Sequence, residues 1–167
     1  MLDCLVLAEG QSMNAIPVVM LTVNDFDSWL EAQSDRVINW AKLNGFLAKS
    51  GQLCCVPSES GEVEQVLLGY DDSSSGWLFF NIVSQLPAGV YQLDEQTSPW
   101  GDSQNDLIAL AWGLGSYRFN AYCDHPASVA QWLVPADVDT ALLDQWLSSF
   151  YLAQDLLKSN KQPQRIG

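Results

Sequence analysis

Residues Asp106–Tyr122 read "DLIALAWGLGSYRFNAY". The stretch opens as an amphipathic helix. Leu107, Ile108, Ala111, Trp112 and Gly115 fall at i, i+1, i+4, i+5 and i+8, which is one helical face. Ser103 stands as its N-cap, with Asp106 three residues on in a capping-box arrangement. Gly113 and Gly115 interrupt it, and each glycine costs about 1 kcal/mol against alanine inside a helix. Close packing or a helix end must offset that cost. Gly115 lies on the apolar face, where a missing side chain lets another backbone approach. "GLGS" is read as the end of this helix, which places the wrong dipole for a phosphate site.

Outward from this helix, strands and helices alternate. "IPVVMLTV" (residues 16–23) is a β-branched run read as a buried strand. "NDFDSWLEAQ" follows as a short helix capped by Asn24 or Asp25, with Phe26, Trp29 and Leu30 on one face. Ser34 caps a second helix that turns Val37, Trp40 and Ala41 inward and ends at Asn44-Gly45. "GQLCCVP" and "VEQVLLGY" form a hairpin over residues 52–70. "WLFFNIVSQL" is a short helix, "PAGVYQL" a turn and strand, and "SVAQWLV" a strand closed by Pro135. A last helix starts near Asp137 or Asp139. Val138, Leu142, Leu143, Trp146, Phe150, Ala153 and Leu157 mark its buried stripe. The pattern predicts an α/β fold with a mixed β-sheet flanked by helices on both faces. Residues 1–157 form one domain, and the polar "KSNKQPQRIG" (158–167) reads as a linker or the start of a further domain.

Charge narrows the function. The chain of 167 residues carries 20 acids against seven basic residues, a net charge of −13, and has no Lys or Arg between Ser50 and Tyr117. Nucleic-acid backbones and anionic membranes both require a basic face, so neither is an expected partner. No apolar run reaches the ~18 residues that span a bilayer. "MLDCLVLAEG" lacks the basic start of a signal peptide. Cys4, Cys54, Cys55 and Cys123 contain no Cys-x-x-Cys spacing. Cys54 and Cys55 point to opposite faces of a strand, so free thiols in a cytoplasmic protein are expected.

No catalytic constellation emerges. The single histidine, His125, follows Cys123 and Asp124 and precedes Pro126, but adjacent residues rarely bring a Cys-His pair together. Asp71-Asp72 and Asp94-Glu95 read as solvated turns rather than metal ligands. Neither a P-loop nor a Gly-x-Ser-x-Gly elbow is present. Arg118 stands between Tyr117 and Phe119, placed to stack on a ring and pair with a carboxylate, either as a structural pin or as a contact to another domain.

"WGLGSYRFNAY", followed after a strand by "LLDQWLSSFYLAQDLL", resembles the end of the N-terminal domain in the leucyl aminopeptidase (cytosol aminopeptidase) family of metallopeptidases. "DSWLEAQSDRVINWAKLNGFLAKSGQLCCVP", "VLLGY" and "LPAGVYQL" resemble that family's earlier segments, in the same order. The likeness runs from Ile16 to Leu157 and is to the short bacterial type of domain. It implies a macro-domain-like fold and a non-catalytic domain with a structural, assembly or access-shaping role. The family's two divalent metals (Zn or Mn), its catalytic residues and its "NTDAEGR" signature belong to a C-terminal catalytic domain, and none of these is in this chain. The resemblance therefore implies no catalytic residue and no metal ligand here, and no enzyme activity for this chain alone. It implies a C-terminal catalytic domain as partner and a hexamer for the full-length protein. Gln154-Asp155-Leu156-Leu157 matches the family's junction, whereas "KSNKQPQRIG" departs from it. Trp112, Gly115, Tyr117, Arg118 and Phe119 are the structural or interface candidates. The rival reading is a stand-alone macro-like module that binds a small molecule or nucleotide.

Overall fold

A computed structural model describes residues 3–7, 14–120 and 130–159, with backbone alone at 118–120, 158 and 159. Its centre is a six-stranded mixed sheet in the order β1-β6-β5-β2-β4-β3. The strands are β1 (Leu5–Leu7), β2 (Ile16–Leu21), β3 (Leu53–Pro57), β4 (Val63–Gly69), β5 (Gly89–Leu93) and β6 (Ala130–Val134). All pairings are parallel except β3 with β4, the expected hairpin. β1 was not legible as a strand: three residues are too few to show a period.

Alternation along the strands sorts the two faces. Val18, Met20, Val66 and Leu68 point into one core, whereas Val19, Leu21 and Leu67 point into the other. Cys54 enters the second core and Cys55 packs against the first, as adjacent strand residues must. The second core lies under α1 (Phe26–Glu31) and α2 (Asp35–Leu43), through Phe26, Leu30, Val37 and Ala41. Two side chains tie α2 to β3. Trp40 Nε1 donates to the Cys55 carbonyl (2.9 Å), and the Arg36 guanidinium donates to the Pro57 carbonyl and pairs with Glu64. Gly45 ends α2 with φ +63°, the left-handed conformation that glycine adopts at least cost.

The first core is larger. It holds α3 (Phe79–Ile82), α4 (Asn105–Asn120) and α5 (Thr140–Ser159). Tight helical turns at Gly76–Leu78 and Val83–Gln85 flank α3. At its centre Trp112 and Trp132 meet with ring centroids 5.0 Å apart, and Phe79 packs edge-on to Trp132 at 5.1 Å. Trp112 Nε1 donates to the Ala130 carbonyl (3.2 Å), so the ring is buried with its polar atom satisfied.

The structure corrects three expectations. A 3-10 turn at Gly101–Gln104 precedes α4, so Ser103 does not cap it; its hydroxyl donates back to the Trp100 carbonyl (2.6 Å). "GLGS" lies inside α4, which continues to Asn120. On α5, Val138 before it and Leu143 and Leu147 within it are buried, but Leu142, Trp146, Phe150 and Leu157 are 40%, 49%, 38% and 58% exposed, and Ala153 is also exposed. α5 starts at Thr140, where a start near Asp137 or Asp139 was expected, and Asp139 Oδ1 accepts from the Leu142 amide (3.0 Å).

Both glycines of α4 are explained by what faces them. A Cβ on Gly115 would fall on the Phe80 carbonyl and within 2.5 Å of Val83 Cγ1. A Cβ on Gly113 would come within 2.5 Å of Leu147 Cδ1, the far end of a flexible side chain. Backbone cannot step aside as a leucine tip can. Gly115→Ala is therefore expected to destabilise the chain by roughly 1–3 kcal/mol. Gly113→Ala should cost less, because Leu147 can shift and helix propensity returns about 1 kcal/mol. Denaturant midpoints of the two variants check the order, and an equal loss would refute the backbone contact.

Candidate functional site

Two places gather polar chemistry. The first is a cleft of about 420 Å³ at the carboxyl ends of β5 and β6. Gln92 and Leu93 line one side, Leu133 and Pro135 another, and Glu95 and Asp102 its mouth. Asn105, the first residue of α4, donates through Nδ2 to both carboxylate oxygens of Asp137 (3.2 and 3.1 Å). That bond joins the start of α4 to the loop before α5. Asp94 accepts from Thr97 Oγ1 (2.9 Å), which itself accepts from the Met20 amide (3.1 Å). The sequence suggested a solvated turn; the turn also braces β2 through the Met20 amide. Among the described residues no Lys or Arg lines the cleft, and the charged groups there are carboxylates. A phosphate-bearing ligand would meet repulsion there.

The second place is the seam between α4 and α5. Tyr117 lies over Tyr151, with ring centroids 4.4 Å apart, and its hydroxyl donates to Asp155 Oδ1 (2.6 Å). Tyr151 donates to the Gly113 carbonyl (2.6 Å). Cys4 comes from β1's side of the sheet to the same seam, where burial pushes its thiol up and the hydroxyls of Ser116 and Tyr151 partly counter this. Burial also raises Tyr151 and Tyr91 well above the usual phenol range. The seam is a packed join of aromatic rings and side-chain hydrogen bonds.

Of the sequence-named candidates, Trp112 and Gly115 sit in the first core, and Tyr117 sits on the seam. Arg118 and Phe119 lie in the last turn of α4, with side chains outside the described residues; Cys123 and His125 also lie outside them. Asp71 accepts from Ser73 and Ser74, and the Ser73 hydroxyl foremost lowers its carboxyl below the usual range. Ser50, just before β3, hydrogen-bonds to Ser74 (3.1 Å) and also lowers the Asp71 carboxyl, so the turn is tied to that segment. Among the described residues no group of three or more His, Cys, Asp or Glu is placed to hold a metal. None of the described helices is long and apolar enough to cross a membrane. The Asn105–Asp137 pair was missed, and its 32-residue separation leaves no local signal.

Comparison with known proteins identifies the arrangement. Residues 16–135 match the family model for the N-terminal domain of M17 aminopeptidases. The structure is similar to the cytosol aminopeptidase from Coxiella burnetii, with a TM-score of 0.76 and 31% identity, covering 93% of this chain and 33% of that one. A mutant leucine aminopeptidase from tomato matches more loosely, at 13% identity and a TM-score of 0.47, over 87% of this chain and 34% of that one. No curated protein matches. This chain thus spans about a third of the length of the aminopeptidase chains it resembles. The chain belongs to the M17 aminopeptidase family, as its N-terminal domain.

The buried thiol and phenols set a pH dependence. Their folded pKa values lie above the unfolded ones, so the stabilisation they carry is complete below the unfolded values, 9.0 for Cys4 and 10.0 for the tyrosines. It is lost as the pH rises beyond them, because the unfolded chain then releases protons that the folded chain retains. Stability should therefore hold level through neutrality and fall above about pH 9. Denaturant midpoints between pH 7 and pH 11 check this. Tyr151→Phe should cost about 1 kcal/mol at pH 7 through the lost bond to Gly113, and should soften the alkaline fall. An unaltered alkaline limb would remove Tyr151 from its cause.

Proposed function

With family membership as the premise, we propose that this chain serves as the non-catalytic N-terminal domain of a metal-dependent aminopeptidase that removes N-terminal amino acids from peptides. The observation that carries this reading is the match over residues 16–135 to the family's N-terminal domain, in a chain one third as long as its structural neighbour. The two divalent metals of the parent enzyme belong, on this reading, to a C-terminal catalytic domain. This domain packs on it and contributes to assembly or to access, in a cytoplasmic hexamer. On this reading Trp112, Gly115 and Tyr117 of α4, with Arg118 and Phe119 in its last turn, are the structural or interface residues.

A stand-alone macro-like module that binds a nucleotide or ADP-ribose is the other reading. The cleft beyond β5 and β6 is in a suitable place, since open α/β sheets bind ligands at their strand ends. The carboxylates of Glu95 and Asp102 in its lining count against a diphosphate. Calorimetry of this chain with ADP-ribose is expected to give no heat above dilution.

An antibody raised against the chain should detect, in source-cell lysate, a polypeptide several hundred residues longer that co-purifies with metal-dependent aminopeptidase activity. The chain alone should release no amino acid from peptide amides with added Zn or Mn. A natural polypeptide near 18.5 kDa would overturn the reading.

A further inference from the structure

Helix α5 carries two apolar stripes; the described fold buries one, and of the other Phe150 packs edge-on against Tyr117 with ring centroids 6.1 Å apart. Leu143 and Leu147 are buried in the first core, and Tyr151 packs against it. Leu142, Trp146, Phe150, Ala153 and Leu157 recur at i, i+4, i+8, i+11 and i+15 beside that stripe. At 1.5 Å per residue they draw a line roughly 22 Å long. Trp146 is half exposed and Leu157 more so. A contiguous apolar line with an indole near its middle is the composition of an interface rather than of a free surface.

We propose that this outer stripe of α5 is the surface on which the catalytic domain of the parent aminopeptidase docks. The proposal rests on the reading above, that such a domain is joined to this chain. Three observations favour that occupant. The Coxiella aminopeptidase spends only 33% of its length on matching 93% of this chain, so two thirds of such a polypeptide remains to be accommodated. α5 is the last described element, so polypeptide that follows it is tethered at the end of the stripe and meets it at high effective concentration. The helix is also held in one orientation, by Leu143 and Leu147 in the core, by Tyr151 on Gly113 and by Asp155 on Tyr117. A second copy of the chain is a poorer occupant, because each copy brings a net charge of −13.

The test uses the polypeptide as the source cell makes it. p-Benzoylphenylalanine is placed at position 146 and, as a control, at exposed position 148 on another side of α5. The expected result is an intramolecular crosslink from position 146 to residues of the catalytic domain, with none from 148. A crosslink from 146 to a second copy or to another protein would overturn the proposal, as would no crosslink in a polypeptide that contains the catalytic domain. A polypeptide ending near Gly167 would instead overturn the functional reading, and the docking proposal with it. A second measurement does not depend on crosslinking. Leu142→Gln with Trp146→Gln should leave the denaturant midpoint of this chain unchanged. In the longer polypeptide it should split one unfolding transition into two. A single unchanged transition there would overturn the proposal.

Discussion

The fold turns on how closely α4 approaches its neighbours. This helix is enclosed by the sheet, by α3 and by α5, and Ile108, Ala109, Ala111 and Trp112 along it have no exposed surface. Such enclosure requires small residues wherever another element crosses. Gly115 meets the backbone of α3, Gly113 meets Leu147 of α5, and Ala109 and Ala111 occupy intervening positions. Close approach then sets the distance at which Trp112 reaches the sheet and contacts Trp132 and Tyr91. Offset aromatic pairs of this kind contribute about 0.5–1.5 kcal/mol each beyond their buried area. The glycines, poor helix formers locally, are what allow the large rings their contacts.

Much of this was legible in the sequence, for definite reasons. The alternation of Val18 and Met20 with Val19 and Leu21 gave a strand buried on both faces, and the opposed directions of Cys54 and Cys55 followed from the same period. The two short helices after β2 were separable because Ser34 and Gly45 punctuate the second. Errors arose where tertiary contacts overrule local preference. Two glycines looked like a helix end because propensity charges them to the helix, and propensity cannot see Phe80 or Leu147. Ser103 looked like a cap because its spacing to Asp106 is right, but the backbone there already turns as a 3-10 segment. The line from Leu142 to Leu157 was read as buried because it is apolar, but Leu142, Trp146, Phe150 and Leu157 are exposed. Periodicity reports that a face is to be covered and is silent on which body covers it. The cleft was invisible for a related reason, since Gln92, Asn105 and Leu133 meet only through the strand order.

The same features separate scaffold from chemistry. Polar side chains in this domain spend their bonds on turns and joins: Asp94 on Thr97, Asn105 on Asp137, Tyr117 on Asp155. None of these is left unpartnered in an open cleft in the way a catalytic group would be. Among the described residues, one face of the sheet is backed by α3, α4 and α5 and the other by α1 and α2.

One detail of the α2 contact bears on crowding. β3 is an outer strand of the sheet, and an outer strand offers unpaired carbonyls to any extended segment that drifts past. Here the carbonyls of Cys55 and Pro57 are already taken, by the Trp40 indole and the Arg36 guanidinium. A neighbouring chain therefore finds no free acceptors at those two positions from which to extend the sheet. Where many copies are held near one another, this rim resists the strand-by-strand growth that begins fibres, and it does so without a charged residue in β3 itself.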